Sequence, residues 1–272
     1  MNRFYDMKYQ SQNSFINSLK IQLRVIYALL MREIITRYGR HNLGFAWLFV
    51  EPMVFTLSVA TLWYFARSMH GSNLPIVPFA IIGYSTVLLW RNVTSRVGNA
   101  IQANIGLLYH KNVRLMDVYL ARMLLEISGA TISFLGLSVT FNLLGLMDLP
   151  FDFLYMVYGW FMLAWFSLGL GFTVGCLFEI SDIVDRLWHA FTYILFPLSG
   201  AAFFVYWLPS FFQEIVLYVP MVHFSEMIKH GYYGDAVPTF ENLRYITIWN
   251  LLLSFLGLYL LRYMDSKLEV TS

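Results

Sequence analysis

The sequence has 272 residues, of which 58% are hydrophobic and 12% are charged, and its mean hydropathy is +0.60. The charged fraction is about half that of a typical soluble domain, which indicates a polytopic membrane protein. The net charge is only +2, which does not favour nucleic-acid binding. The single cysteine, Cys176, lies in an apolar run, so a disulfide framework and a cysteine-based metal site are excluded.

The first hydrophobic stretch, residues 15–38, is predicted to lie on the membrane rather than to cross it. Arg24 and Arg32 leave only seven uncharged residues between them, whereas a span needs about 20. Two interpretations stay open, a plain membrane anchor and a surface that also contacts a cytoplasmic partner. The apolar side chains recur at the spacing of an amphipathic helix in the cytoplasmic interface, and they are Phe15, Leu19, Leu23, Ile26, Leu30, Ile34 and Tyr38.

The stretch RYGRHNLGFAWLFVEP at residues 37–52 predicts an elbow between this helix and a first span. Gly44 lets the chain turn into the membrane. Glu51 follows near membrane depth, where a carboxylate is costly and usually faces protein or water, so we expect it to face protein or canal water rather than lipid. A second intramembrane acid, Glu126, lies four residues after Arg122, and these two are predicted to pair on one helix face.

Six segments are predicted to cross the membrane as helices, which makes the fold class an all-α integral membrane protein. The chain divides into a cytoplasmic N-terminal segment with the interface helix (1–44), a six-helix transmembrane domain (45–262) and a cytoplasmic tail (263–272). The predicted spans are residues 45–66, 74–90, 120–145, 153–178, 187–207 and 244–262.

The distribution of Lys and Arg predicts that both termini are cytoplasmic. With the N-terminus inside, the inner segments hold fourteen basic residues, whereas the outer loops hold only Arg67 and Lys229. Basic residues favour the cytoplasmic side of membrane proteins. An even number of spans follows.

The region after the fifth predicted span indicates an interrupted structure. Pro197 and Gly200 weaken the end of that helix, Pro209 stops it, and residues 210–219 are too few to cross a membrane. Irregular backbone at membrane depth needs cover from protein or a water-filled cavity. We therefore predict a broken or re-entrant periplasmic hairpin that acts as an exit gate, with a helix on the outer leaflet as the alternative.

The common motifs of energy coupling and catalysis are missing from the sequence. It contains no G-x-x-x-x-G-K-[ST], no H-E-x-x-H and no G-x-S-x-G. His223 and His230 have no third ligand nearby in the sequence, so no metal site is predicted. The stretch GLGFTVG at 169–175 lies inside a span, where Gly171 and Gly175 are expected to provide close helix packing. The sequence therefore indicates a membrane protein without energy-coupling chemistry of its own, and if it transports a substrate actively, another subunit must supply the energy.

Three stretches, taken in order along the chain, carry a family resemblance. They are MREIITRYGRHNLGFAWLFVEP at 31–52, AIQANIGLLYHKNVRLMDVYLARMLLE at 100–126, and PLSGAAFFVYWLP at 197–209 followed by YVPMVHFSEMIKHGYYG at 218–234. Together they resemble the permease subunits of ATP-binding-cassette exporters of the type-2 polysaccharide class. Within that class they resemble the inner-membrane permeases of group 2 capsular polysaccharide export.

The resemblance implies a homodimer of six-span permeases in the bacterial inner membrane, joined by two cytoplasmic ATPase subunits. ATP and Mg would be held by those subunits, so no cofactor is expected in this chain. The substrate implied is a lipid-linked, usually acidic capsular polysaccharide, and periplasmic and outer-membrane export components are further partners. The alternatives are export of a lipid-linked O-antigen or teichoic acid, a non-transporting interaction subunit, and a membrane-embedded sugar or acyl transferase. The transferase would need His, Asp or Glu clustered at one membrane depth, and the sequence offers no such cluster.

The polar loop 91–118 is predicted to contain a short helix, because Ile101, Ile105 and Leu108 have helical spacing. Such a helix can dock in a groove of a soluble partner, or it can lie flat on the membrane. The resemblance implies that it is the coupling helix that meets the ATPase subunit. Its candidate contact residues are Asn104, Leu107, Leu108, Tyr109, Lys111 and Arg114.

Aromatic residues make up 18% of the chain and suggest a path for a sugar polymer. A canal needs many weak stacking contacts, like those that hold single strands on aromatic platforms, and an acidic polymer needs cations at the mouth. Interfacial belts, core packing and ordinary positive-inside topology are the alternatives. The candidate canal residues are Tyr84, Trp90, Trp165 and Tyr193 on the walls, and Arg91 and Arg96 at the cytoplasmic mouth.

Overall fold

The computed structural model describes residues 2–38, 75–98, 100–101, 104, 106 and 113–271, and isolated positions between 50 and 65. Side chains are described from residue 16 to 36 in the first of these ranges and up to residue 266 in the last. Every regular element in the described residues is helical. The α-helices are α1 (Asn2–Tyr38), α2 (Ile76–Arg96), α3 (Leu115–Leu143), α4 (Phe153–Ile180), α5 (Asp182–Leu198), α6 (Ser210–Val216), α7 (Pro220–Tyr233) and α8 (Leu243–Thr271), with 3-10 turns at Val205–Trp207 and Gly234–Ala236.

Four of the described helices are long and apolar enough to cross a membrane, as judged by length and composition. They are α2, α3, α4 and the Leu243–Ser266 part of α8. The predicted first span, 45–66, lies largely outside the described residues, and Glu51 lies outside them too. An all-helical protein with apolar spans is therefore confirmed, while the count of six spans stays a prediction.

The helix in the fifth predicted span begins and ends earlier than the sequence pattern indicates. α5 has 17 residues and ends at Leu198, with Pro197 inside its last turn. Gly200 follows with a φ of 78°, a backbone conformation that glycine adopts without a steric penalty. The chain therefore turns at residues 199–204 and does not continue as a helix to residue 207.

Helix α7 occupies the centre of the bundle, where it packs against α2, α4 and α8. Twelve of its 14 residues are buried. Its Phe224 ring contacts Phe166 of α4, with ring centroids 5.1 Å apart. A helix buried on all sides in a lipid-exposed bundle is expected to be apolar, yet α7 contains Glu226 and Lys229.

Two glycines of α4 allow α2 and α3 to approach closely. A Cβ atom on Gly171 would lie 2.5 Å from Met123 Sδ, and one on Gly175 would lie 2.2 Å from Val97 Cγ1. Small residues at this spacing let helices pack closely inside a membrane. The interpretation of residues 169–175 as a packing surface is confirmed.

We predict that Gly175→Ala lowers the stability of the protein and that Gly136→Ala does not. The added methyl group at position 175 enters a filled space, which costs about 1–3 kcal/mol. Gly136 of α3 has no heavy atom within 4 Å of an added Cβ, and alanine favours a helix by about 1 kcal/mol over glycine. Thermal unfolding of the detergent-purified variants measures both effects. Equal melting temperatures for the two variants would contradict the prediction.

Candidate functional site

Lys229 of α7 carries a charge into the protein interior. Neither its side chain nor that of Glu226 has any exposed surface. The Lys229 ammonium group donates hydrogen bonds to the backbone oxygens of Gly200 and Phe203, each at 2.6 Å, and lies 3.5 Å from Glu226 Oε1. It also sits over the Phe204 ring, 4.6 Å from the centroid, where a cation is attracted to the aromatic face. Burial of this charge is compensated by an acid, two carbonyl groups and an aromatic ring.

The turn at residues 199–204 is held from two sides. On the α7 side, Ser225 donates a hydrogen bond to Gly200 O at 3.1 Å, beside the bond from Lys229. On the α2 side, a Cβ atom on Gly83 would lie only 2.1 Å from Ala201 O. The turn that follows α5 is therefore held between α2 and α7.

Sequence reasoning missed this site because it counted Lys229 among the cations of an outer loop. The structure instead places Lys229 inside the protein. The available signal was the spacing of Glu226 and Lys229, the one acid and the one lysine or arginine in residues 218–234. They are three residues apart, and residues at that spacing share a helix face.

A second group of charged side chains lies near the end of α2, beside α3. We call it the Arg122 cluster, and it consists of Glu33, Arg96, Arg122 and Glu126 together with the backbone oxygen of Gly98. The Arg122 guanidinium donates to Glu33 Oε1 at 2.9 Å, to Gly98 O at 2.8 Å and to Arg96 O at 3.4 Å. The carboxylate of Glu126 lies 3.6 Å from Arg96 Nε. These partners differ from the predicted Arg122–Glu126 pair, because helices α1 and α2 bring other charges within reach.

Two of the predicted ATPase contacts lie in the described part of the chain. Asn104 is buried, and its Oδ1 accepts a hydrogen bond from Arg32 of α1 at 2.8 Å while its Nδ2 donates to Ala100 O. Arg114 is exposed and directly precedes α3. The other predicted contacts lie outside the described residues, and they are Leu107, Leu108, Tyr109 and Lys111.

The predicted canal residues fall into separate places. Tyr84 and Arg91 of α2 both face α5, where Tyr84 makes an edge contact with Phe196 and the Arg91 guanidinium lies 4.6 Å from the centre of the Tyr193 ring. Tyr193 itself is 67% exposed. The structure thus brings Tyr84, Arg91 and Tyr193 to one surface.

The remaining predicted canal residues lie elsewhere. Trp90 is buried in the core. Trp165 of α4 donates its indole N–H to Ser254 of α8 at 2.9 Å. Arg96 belongs to the Arg122 cluster. Their proposed contact with polymer stays a prediction.

Helix α5 leaves most of its apolar surface uncovered. Within this helix, which is described throughout, only Thr192 and Leu195 are buried. An open apolar groove of about 490 Å³ runs along the exposed side, lined by Val184, Leu187, Trp188, Ala190, Phe191 and Ile194. In a membrane-spanning bundle, an exposed apolar face of this kind is covered by lipid or by another protein chain.

A polar cluster lies between α7 and the start of α8. Glu241 Oε1 accepts a hydrogen bond from Tyr155 at 3.1 Å and contacts His230 Nδ1. Burial alone would raise the pKa of Glu241, but hydrogen bonds from Thr239 and its own backbone N–H, together with His230, hold that pKa below its usual value. Among the described residues, no three His, Cys, Asp or Glu side chains converge on a point that could hold a metal ion.

Comparison with known proteins identifies the family. Residues 24–233 match the family described as ABC-2 type transporter. The chain belongs to this family. The matched region runs from α1 to the end of α7 and includes both the Arg122 cluster and Lys229.

Curated relatives of this ABC-2 family member match it along nearly its whole length. It is 45% identical over 263 residues to the capsule polysaccharide export inner-membrane protein CtrC of Neisseria meningitidis serogroup B, covering 97% of this chain and 99% of the relative. It is 42% identical to the capsule polysaccharide export inner-membrane protein BexB of Haemophilus influenzae, with the same coverage. The polysialic acid transport protein KpsM of Escherichia coli is 26% identical over 259 residues, covering 90% of this chain and 95% of the relative.

We predict that Lys229→Met destabilises this ABC-2 family member strongly. The substitution leaves the Glu226 carboxylate buried without its cation, and breaking a buried pair in this way costs about 3–5 kcal/mol. The double variant Glu226→Gln, Lys229→Met is expected to lose less stability than the two single variants together, because it removes both charges. Thermal unfolding in detergent measures these losses, with the exposed Lys20→Met as the matched control. A single variant as stable as Lys20→Met would show that the buried pair contributes nothing.

Proposed function

We propose that this chain is the membrane permease subunit of an ATP-driven exporter that moves lipid-linked capsular polysaccharide across the bacterial inner membrane. The observation that carries the proposal is the full-length similarity to inner-membrane proteins named for capsule polysaccharide export. A relative named for transport of polysialic acid, which is an acidic polymer, supports an acidic substrate.

ATP is hydrolysed on a separate subunit in this proposal. The chain has no phosphate-binding loop of the P-loop type, so it can take part in ATP-driven transport only with a partner. The segment between α2 and α3 is the proposed contact with that partner. We further propose that both termini lie in the cytoplasm, on the same side of the membrane as the partner. The excess of basic residues in the inner segments supports this orientation.

The working unit in this proposal is a homodimer, with α5 facing the second copy or the polymer between the two copies. The exposed apolar side of α5 supports this arrangement, because only Thr192 and Leu195 of its 17 residues are buried and an apolar groove runs along its exposed side. Tyr84, Arg91 and Tyr193 meet where α2 contacts α5, outside the residues that line this groove. The Arg91 guanidinium lies over one face of the Tyr193 ring. This pair suits an acidic sugar, since the other ring face can pack on the C–H face of the sugar and the guanidinium can bind its carboxylate.

The turn at residues 199–204, with α6 and α7, forms the proposed periplasmic hairpin. The buried contacts of Lys229 support a position at membrane depth, because irregular backbone is tolerated there only when its polar groups are satisfied by protein or water. In the proposed exporter, this hairpin lies at the exit of the polymer path.

A deletion experiment in a capsulated host tests the proposed function. Loss of the chain is expected to abolish surface polysaccharide and to accumulate lipid-linked polymer inside the cell, and deletion of the partner ATPase is expected to give the same result. The chain should also co-purify with that ATPase in equal amounts. Unchanged surface capsule in the deletion strain would overturn the proposal.

We predict that Tyr193→Ala and Arg91→Ala each lower export by about two- to fivefold. The expected loss follows from removing a cation–aromatic pair worth about 0.5–1 kcal/mol together with a stacking surface for the sugar. Export is measured as surface polysaccharide, normalised to the amount of permease in the membrane. Tyr259→Ala is the matched control, because Tyr259 is an exposed tyrosine on α8. Equal export by all three variants would contradict a polymer contact at Tyr193.

A further inference from the structure

Two histidines of α7 contact the same neighbouring segment of the chain, the one that directly precedes α8. His223 Nδ1 lies 3.2 Å from the backbone oxygen of Phe240. His230 Nδ1 lies 3.1 Å from Thr239 Oγ1 and also contacts Glu241 Oε1. The two histidines are seven residues apart, which is about two turns of a helix, so they lie on one face of α7. This face of α7 therefore holds the start of α8 through titratable side chains.

The imidazole ring of His223 lies between two backbone oxygens. Its Nε2 is 2.9 Å from the oxygen of Leu217, at the joint between α6 and α7, while its Nδ1 faces the oxygen of Phe240. A backbone oxygen only accepts hydrogen bonds, so each ring nitrogen needs a hydrogen to bind its partner. A neutral imidazole has one N–H, whereas the protonated ring has two. Both contacts of His223 are therefore complete only when the ring is protonated.

The surroundings of His223 leave little room for solvent. Only 4% of this residue is exposed, and the centroid of the Tyr245 ring of α8 lies 4.9 Å from that of the imidazole. The Tyr245 hydroxyl donates to the backbone oxygen of Tyr218 at 2.7 Å. The α6–α7 joint is thus tied to the region of α8 by two routes, one through Tyr245 and one through His223. In such a shielded place, a polar atom that loses its partner is costly.

The contacts of the His223 ring are two backbone oxygens and one aromatic ring, and groups of both kinds stabilise a cation. Glu226, one turn further along α7, pairs with Lys229. Other titratable groups on the neighbouring elements contact different residues or are exposed, and they include Glu214 on α6, Asp235 and Glu241 before α8, Arg244 on α8, Tyr155 on α4, and Tyr84, Arg91 and Arg96 on α2.

His230 provides a second link that also favours the protonated form. The pKa of Glu241 lies below its usual value, so this carboxyl group is ionised at neutral pH and attracts a protonated His230. The His230 side chain is 37% exposed, and an exposed pair is screened by solvent and salt. A neutral His230 can also keep the contact by donating its Nδ1–H to Glu241. The larger effect of pH is therefore expected from His223.

We propose that His223 is a proton-sensitive clasp that joins the α6–α7 joint, α7 and the segment before α8. In its protonated form it donates to Leu217 O and to Phe240 O. The neutral ring keeps the shorter bond, which is the one to Leu217, and then presents a lone pair to Phe240 O. The contact with Phe240 is lost, and the start of α8 is held less firmly. The clasp is a property of this chain alone and is independent of the transported substrate.

The clasp is expected to be complete in acid and to open as the pH rises. The closed state binds the proton of His223 more tightly than the open state does, so the free-energy advantage of the closed state falls with increasing pH. Histidine is the side chain whose charge changes between about pH 5 and 8. The opening of the clasp is therefore expected within that range.

Hydrogen exchange of the full-length chain in lipid nanodiscs tests the clasp. Protection factors of the backbone amides in residues 216–222 and 237–246 are measured at about pH 5.5 and about pH 8, each corrected for the intrinsic exchange rate at that pH. In the wild type, protection of both segments is expected to fall by at least about threefold at the higher pH, because one hydrogen bond is lost. Residues 120–135 of α3 are the internal reference and are expected to keep their protection.

His223→Gln is the matched variant, because glutamine keeps a donor group and does not titrate. Its protection in the two segments is expected to be the same at both pH values and to equal that of the wild type at the higher pH. His189→Gln removes an exposed histidine of α5 and is expected to keep the wild-type pH dependence. Tyr245→Phe removes the bond to Tyr218 O and is expected to lower protection by the same factor at both pH values.

Equal protection of the wild type at the two pH values would overturn the clasp, and this measurement requires no variant. Full pH dependence in His223→Gln would overturn it as well, because the responsible proton would then belong to another group. A pH dependence that disappears in His230→Gln and persists in His223→Gln would assign the effect to the pair of His230 and Glu241 instead.

Discussion

The buried ammonium group of Lys229 is the constraint on which the centre of this protein depends. A charge without solvent needs partners from several directions, and here they come from Glu226 on the same helix, from the carbonyls of Gly200 and Phe203 and from the Phe204 ring. Because those carbonyls belong to the turn after α5, neutralising the charge also fixes how α5 leaves the bundle. The Lys229 ammonium group thus fixes the position of the turn at residues 199–204 relative to α7, although no regular hydrogen-bond pattern joins these two segments.

Helix α2 connects this centre with the charged cluster at its other end. Near its beginning, Gly83 abuts the turn at Ala201. At its end, the carbonyls of Arg96 and Gly98 are bound by Arg122. Most of the helix between these points is buried, so it has little freedom to bend. A well-packed helix fixed at both ends transmits a displacement along its axis better than it absorbs one.

The sequence predicted the features that depend on local patterns. Apolar length identified α2, α3, α4 and α8, and the spacing of Gly171 and Gly175 identified a packing surface that the structure confirms. The charge pairs between different helices were not predictable, because a partner such as Glu33 lies 89 positions from Arg122 along the chain. Only neighbours on one helix can be paired from a sequence, which is why Glu126 was assigned to Arg122. Glu226 and Lys229 have such a spacing, but Lys229 was counted among the cations of an outer loop. Whether a charged side chain is buried depends on tertiary packing, which a local sequence pattern does not predict.

Only a small share of α5 is buried in this chain, so the residues that fold the helix and the residues that form its surface are largely different. Its folding contacts are limited to a few positions such as Thr192 and Leu195, while Tyr193, Phe191 and Ile194 face outward. Substitutions on the outward side change a surface without opening a cavity in the core. In the proposed exporter, selectivity for one polymer over another can therefore change through substitutions on the outward side of α5. The buried residues that fold the protein can stay the same.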